Sequence, residues 1–283
     1  MINQKLLVSG ADYFADTYEI NPYYTSKGID VEKAKAEHAL ILDCFKEAGI
    51  ELIKVDPPQN CQDGVYTANW ALVKDGVAIM ARLPKARKDE EPYAKSCLQK
   101  LGIKTIDVPG DYLFSGQGDS LRCGKYLIAG SGYRSDPEAQ AFAAETLGLE
   151  LVQLHAKPQL NEDGSTHINP FTDHADSFWY DLDLAVSIID DHTIAYCPDA
   201  LDEESNRRIA ALTDLDKITV DFEECTKGFA NNLVSTGKHV IMSNRAPKLQ
   251  KELEKRGLIC LTPDVTELKE GGGYIRCVSL WLS

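Results

Sequence analysis

The sequence has no C-x-x-C pair among its eight cysteines and no long apolar run, and it carries less positive than negative charge. Each absence excludes something. Without paired cysteine spacing, neither a zinc ribbon nor a thioredoxin-like motif is expected. The cysteines at 44, 61, 97, 123, 197, 225, 260 and 277 read mostly as buried small hydrophobes, and a disulfide framework is not expected in an intracellular chain. A spanning helix needs an apolar run of about 18 residues or more, so none is expected. The first residues, MINQKLLVSGADYF, lack the apolar core of a secretory signal, and the expected location is the cytoplasm. With 30 Lys and Arg against 44 Asp and Glu, the formal charge is −14. Nucleic acid and anionic membrane are therefore not expected partners, since either needs a basic face. A small cationic ligand suits the charge. Nothing in the sequence reports an oligomeric state.

What is present is enough chain for a sizeable core. The 283 residues are 43% hydrophobic and 26% charged, with no disordered or low-complexity stretch, and are expected to form one domain over 1–283. Internal repeats organise it. A polar residue opens an apolar run, a tight turn follows, and a second apolar run returns. Asn69 opens the first copy with its turn at Asp75-Gly76, and Asp119 opens the second with its turn at Cys123-Gly124-Lys125. Asp183 opens the third with Asp190-Asp191-His192, and Asn232 the fourth with Gly237-Lys238. Each reads as a β-hairpin. The fifth is split by the termini: it begins at Cys277 after Gly271-Gly272-Gly273 and closes with the run near Leu6. Joining first and last segments removes an exposed edge.

A helix is expected after each hairpin, over 31–48, 88–101, 136–147, 202–212 and 247–256. Pro137 and Pro247 suit first helical turns, and Gly49, Gly102, Gly148 and Gly257 suit stops. A short strand follows each helix, over 51–56, 104–109, 150–155, 217–222 and 258–263. The opening residues are spaced by 50, 64, 49 and 45. The long interval holds residues 161–177, read as an inserted loop that either acts as a lid or is a tolerated surface insertion. About three strands per helix, with hairpins, do not fit a doubly wound parallel sheet.

In a closed fivefold array, equivalent positions converge on the axis. Asn69, Asp119, Asp183, Asn232 and Cys277 would then share one polar centre. Burying such groups is costly unless they are paired, and a planar guanidinium with many N–H donors matches two carboxylates. Taken singly, each of these residues is as well explained by capping a strand start. The argument lies in all five holding matched positions.

Six segments, in order, resemble the pentein, or guanidino-group-modifying, superfamily: arginine deiminases, dimethylarginine dimethylaminohydrolases, amidinotransferases and arginine dihydrolases. They are Tyr18-Glu19-Ile20-Asn21-Pro22, Val65-Tyr66-Thr67-Ala68-Asn69, Gly116-Gln117-Gly118-Asp119, Gly130-Ser131-Gly132-Tyr133-Arg134-Ser135-Asp136, Phe229-Ala230-Asn231-Asn232, and the glycine run with Cys277. The resemblance covers nearly the whole chain and implies an α/β fold, a five-bladed pseudo-fivefold α/β propeller. It implies covalent catalysis at a guanidino or amidine C–N bond, with no metal or organic cofactor. Cys277 would be the nucleophile, Asp119 and Asp183 would hold the guanidinium, Asn21, Asn69 and Asn232 would line the substrate site, and Arg134 would bind a substrate carboxylate.

Two positions depart from the pattern. The family's catalytic histidine stands two residues before an aspartate; here Asp181 stands there, before Asp183. The histidine protonates the leaving amine and activates water, work suited to a near-neutral pKa. Ser115 and Gln117 stand where many relatives carry glutamate. His167 and His174, in the inserted loop, are the histidines near enough in sequence to substitute, although surface loop positions explain them as well. Three readings stay open: a cysteine-dependent hydrolase, an amidinotransferase, and a non-catalytic binding protein for a cationic, amino-acid-like ligand.

Overall fold

The computed structural model describes residues 2–282, so Met1 and Ser283, the two ends of the expected unit, lie outside it. Strand β1 (Lys5–Val8), helix α1 (Val31–Glu47) and strand β2 (Glu51–Lys54) come first. The first hairpin unit is β3 (Ala71–Lys74), β4 (Val77–Met80), α2 (Glu90–Lys100) and β5 (Lys104–Asp107). The second is β6 (Ser120–Cys123), β7 (Tyr126–Gly130), α3 (Pro137–Leu147) and β8 (Glu150–Leu154). The third is β9 (Val186–Asp190), β10 (Thr193–Tyr196), α4 (Glu203–Ala211) and β11 (Asp216–Thr219). After a separate helix α5 (Phe222–Gly228), the fourth is β12 (Val234–Ser235), β13 (His239–Ile241), α6 (Pro247–Lys255) and β14 (Ile259–Leu261). The last strand, β15 (Leu280–Trp281), pairs antiparallel with β1, which pairs parallel with β2. The chain ends thus complete the fifth unit, as the sequence pattern requires.

Every unit is one three-stranded sheet: an antiparallel hairpin whose second strand is joined in parallel by the strand after the helix. The parallel pairing follows from the helix, which supplies the crossover that a tight turn cannot. The helices form for local reasons. Asp30 caps α1 by accepting from the Lys33 backbone N–H, and Asp202 caps α4 through Ser205. α1 buries Ala34, His38, Ile41, Leu42 and Phe45, the spacing of one helical face. α3 lays Ala139, Ala143 and Leu147 on Leu127 and Ala129 of β7.

The units are tied into a ring by hydrogen bonds between neighbours. The Ala68 N–H donates to the Cys277 carbonyl at 3.0 Å, joining the fifth unit to the first. Gln117 N–H donates to Ala71 O at 3.1 Å, joining first to second, and Asp183 N–H to Gly118 O at 3.0 Å, joining second to third. Ser235 Oγ donates to Ile189 O at 2.6 Å between third and fourth, and Asn3 Nδ2 to Ser235 O at 2.9 Å closes the circle.

Two expectations need correction. Of the opening residues, only Asp119 directly precedes a strand, β6. Asn69 lies in a 3₁₀ turn over Thr67–Trp70 and Asp183 in one over Leu182–Leu184, and Cys277 precedes β15 by three residues. Backbone groups of these segments are used between units, as at Ala68 and Asp183, and are lost to the ladders. The strand expected to run through Phe222 stops at Thr219, because Asp221 accepts from the Glu223 and Glu224 N–H groups and starts α5. Among the described residues no helix is long and apolar enough to cross a membrane.

Gly116 is at φ +55°, and a Cβ there would stand 2.8 Å from both the N and O of Ala71. The neighbour is rigid backbone at a joint between two units. Gly116→Ala is expected to lower stability by about 2 kcal/mol or more, read as a fall in the urea midpoint at unchanged slope.

Candidate active site

Cys277 lies at the centre of the ring, 2% exposed. Its Sγ is 3.5 Å from Asp183 Oδ2 and receives the Asn232 Nδ2–H at 3.2 Å. The orientation of the Asn232 amide is set by its other end: Oδ1 accepts the backbone N–H of Arg276 at 2.9 Å and of Cys277 at 3.3 Å. The amide hydrogen therefore has to face the sulfur.

Asp119 is held from both sides. Its Oδ1 accepts the Leu182 N–H at 3.0 Å and its Oδ2 the Ser135 hydroxyl at 2.7 Å. Leu182 lies between Asp181 and Asp183, so one backbone bond brings three carboxylates together. Asp183 Oδ1 has no protein partner.

Asp181 is fixed by a chain that begins in a buried ion pair. Arg87 bonds Glu90 through Nε at 2.8 Å and Nη2 at 2.7 Å, with both residues almost fully buried. Burial works against the Arg87 charge, and Glu90 more than offsets it. Arg87 Nη1 donates to Asn69 Oδ1 at 2.8 Å, which turns Asn69 Nδ2 onto Asp181 Oδ2 at 2.7 Å and Ser115 Oγ at 2.9 Å. Ser115 in turn donates to Asp181 Oδ1 at 2.8 Å. Gly118 has to be glycine for this: a Cβ there would collide with Asn69 Nδ2 and lie 2.7 Å from Asp181 Oδ2.

The electrostatics follow from burial. Desolvation first, and the Asp181 charge second, push Asp119 and Asp183 well above the ordinary carboxylate range. Desolvation, then Asp183 and Asp181, push the Cys277 thiol up as well. Arg276 is the cation that opposes this at Asp183, and its own pKa is lowered by burial. Its Nη2 is bound to Gln117 Oε1 at 2.7 Å, which shows what one departure from the family pattern does: Gln117 also ties Trp281 of β15.

Of the other expected residues, Asn21 is buried beside the glycine run, donating to Gly271 O at 2.9 Å. Arg134 is 5% exposed, donates to Ile20 O at 2.8 Å and stacks over Tyr180 at 4.0 Å. Both therefore bind the 9–30 segment to the centre without touching Cys277 in a hydrogen bond. His167 bonds Asn161 inside the inserted loop and His174 is exposed, so neither histidine joins the carboxylates. Behind Asp183, a small cavity leaves about 20 Å³ open to the centre of a water molecule. Arg122, Trp281, Asn3 and Asn231 line it, each with an unpartnered buried polar atom. Arg87, Glu90, Ser135 and Arg122 were not singled out from the sequence. The i, i+3 spacing of Arg87 and Glu90 is the one local signal among them.

A carboxyl whose folded pKa is raised holds its proton more tightly when folded. Its stabilising contribution is present at low pH and lost as pH rises past the unfolded value, about 3.9, toward the folded one. Stability of the ligand-free protein is therefore expected to fall as pH rises above about 4, and to fall less in Asp183→Asn, read from urea midpoints at a series of pH values.

No family model matches the chain. It is 30% identical to an N(G),N(G)-dimethylarginine dimethylaminohydrolase of Mycobacterium tuberculosis, over 95% of this chain and 82% of that protein. It is 29% identical to ArgZ, a bifunctional arginine dihydrolase/ornithine cyclodeaminase of Synechocystis, over 98% of this chain but only 37% of that longer protein. Its structure superposes on the crystal structure of the substrate-bound N-terminal domain of ArgZ, an arginine dihydrolase of cyanobacteria, with a TM-score of 0.87 at 26% identity, covering 99% of this chain and 98% of that one. A ring of five hairpin units around a buried thiol and carboxylates, together with identity at this level over nearly the whole length, shows that the chain belongs to the pentein superfamily of guanidino-group-modifying enzymes.

Proposed function

We propose that the chain hydrolyses a C–N bond of a guanidino or amidine compound through a covalent bond to Cys277. The observation that carries this is the thiol of Cys277 lying 3.5 Å from Asp183 in a buried centre rich in acceptors, where the unpartnered Asp183 Oδ1 awaits a donor. A guanidinium supplies N–H donors and a positive charge, and its carbon is the electrophile a thiolate attacks.

Asp119 and Asp183 hold the guanidinium, and its charge favours loss of the Cys277 proton. Asn232, with its amide hydrogen on the sulfur, favours the thiolate further. The thiolate forms a C–S bond, a C–N bond breaks, and the proton from the thiol leaves with the departing amine. Water then adds to the same carbon, the C–S bond breaks, and the thiol is restored. Asp181 stands where relatives carry histidine and takes the proton-carrying role as a carboxylate. Asn21 and Asn69 line the substrate site, and Arg134 meets a substrate carboxylate. The relatives' names support the substrate class, since they act on dimethylarginine or arginine.

A binding protein without turnover is the second reading, favoured by the missing histidine and by the raised thiol. Acid-quenched mixtures with a panel of guanidines and amidines separate the two by mass spectrometry. Ammonia- or amine-loss products and a mass adduct on Cys277, both abolished in Cys277→Ala, are expected. A ligand that binds without product or adduct would establish the binder. A haloacetamidine probe at neutral pH is expected to label Cys277 ahead of the other seven cysteines, because the amidinium charge is drawn to the carboxylates; uniform labelling would contradict it.

A further inference from the structure

Asp181 is 1% exposed, and both of its oxygens receive a hydrogen bond from the same side: Oδ1 from Ser115 and Oδ2 from Asn69. The direction of these bonds is not free. Arg87 occupies Asn69 Oδ1, so the amide nitrogen must point to Asp181, and Ser115, which accepts from that nitrogen, must turn its own hydrogen to Asp181. A carboxylate offers about four lone-pair positions, so half of this acceptor capacity remains. The carboxyls of Asp119 and Asp183, the thiol of Cys277, the Arg87 guanidinium and the Tyr180 phenol are close enough for its charge to act on them. Its hydrogen-bond donors are Asn69 and Ser115, and solvent does not reach it. An imidazole in this position offers at most one acceptor and carries a donor of its own, whereas a carboxylate offers acceptors only.

We propose that Asp181 is a specificity-determining residue that accepts an N–H from the terminal guanidino nitrogen facing it, so the site takes a guanidino group with hydrogens on that nitrogen and rejects one that is dialkylated there. The inference rests on the guanidino reading of the site. Two methyl groups against Asp181 leave a buried carboxylate without the donor that would satisfy it, and exclude water from it at the same time. Sites built to hydrogen-bond a ligand N–H discriminate strongly against analogues that lack it. Ser115 and Asn69 are the positioning residues: each holds one of the two oxygens by a hydrogen bond.

The test uses Cys277→Ala, which binds without reacting, with guanidinium and 1,1-dimethylguanidinium at millimolar concentration as probes. Affinities are read by saturation-transfer NMR. Guanidinium is expected to bind about 100-fold more tightly than the dimethylated cation. In Cys277→Ala/Asp181→His the ratio is expected to fall by at least about tenfold. Cys277→Ala/Asp181→Asn, nearly isosteric, is the second variant and is expected to lose the same preference, because it turns one acceptor into a donor. Equal affinities with Asp181 present, or an unchanged ratio in both variants, would overturn the proposal while leaving the guanidino reading intact. Failure of both cations to bind any of the three proteins would overturn the guanidino reading and this inference with it.

Discussion

Three carboxylates and a thiol share a space that water does not reach, and the rest of the centre answers to that constraint. Ionised together they would repel, and each would lose its hydration. The protein does not neutralise them with a full set of cations. Arg276 opposes the charge at Asp183, while Arg87 is already committed to Glu90. Burial first, and neighbouring carboxylate charge second, therefore favour the protonated forms of Asp119, Asp183 and Cys277. A centre in this state has a defined complement: a planar cation with several N–H donors, able to replace the protons.

The ring makes such a centre affordable in a chain of this size. Each unit has its own sheet and helix, and the groups at the axis hang on short segments between units. The same segments carry the bonds that close the ring, such as Ala68 to Cys277 and Asp183 to Gly118. The groups at the centre are thus placed by the contacts that hold the fold together. The Arg87–Glu90 pair extends this outward: an ion pair at the start of α2 orients Asn69, and Asn69 with Ser115 orients Asp181. The two positions that depart from the resemblance, Ser115 and Asp181, meet in one hydrogen bond, in which the serine donates to the aspartate.

Much of this was legible in the sequence because it rests on short-range signals. Turn residues such as Asp75-Gly76 and the glycines after helices marked five units, and the matched positions of Asn69, Asp119, Asp183, Asn232 and Cys277 at the unit starts placed them in register. The proximity of Cys277 to Asp183 follows from that register alone. Less legible was anything decided by a partner far along the chain. Ser115 and Asp181 are 66 residues apart, and no pattern announces their bond. Helix α5 was missed because seven residues are too few for helical periodicity to register, and an apolar run beside it favoured continuing the strand. Asn21 and Arg134 were named by resemblance, but their bonds to Gly271 and Ile20 depend on how the 9–30 segment folds over the centre.

The central claim is that burial favours protons on Asp119, Asp183 and Cys277 and that a bound cation takes their place. Isothermal titration of guanidinium into Cys277→Ala, at one pH in two buffers of different ionisation enthalpy, measures this directly. Net proton release on binding, with affinity rising as pH rises, is the predicted result. Binding with no proton exchange at neutral pH would contradict the account, because it would mean that the carboxylates were already ionised and already paired within the protein.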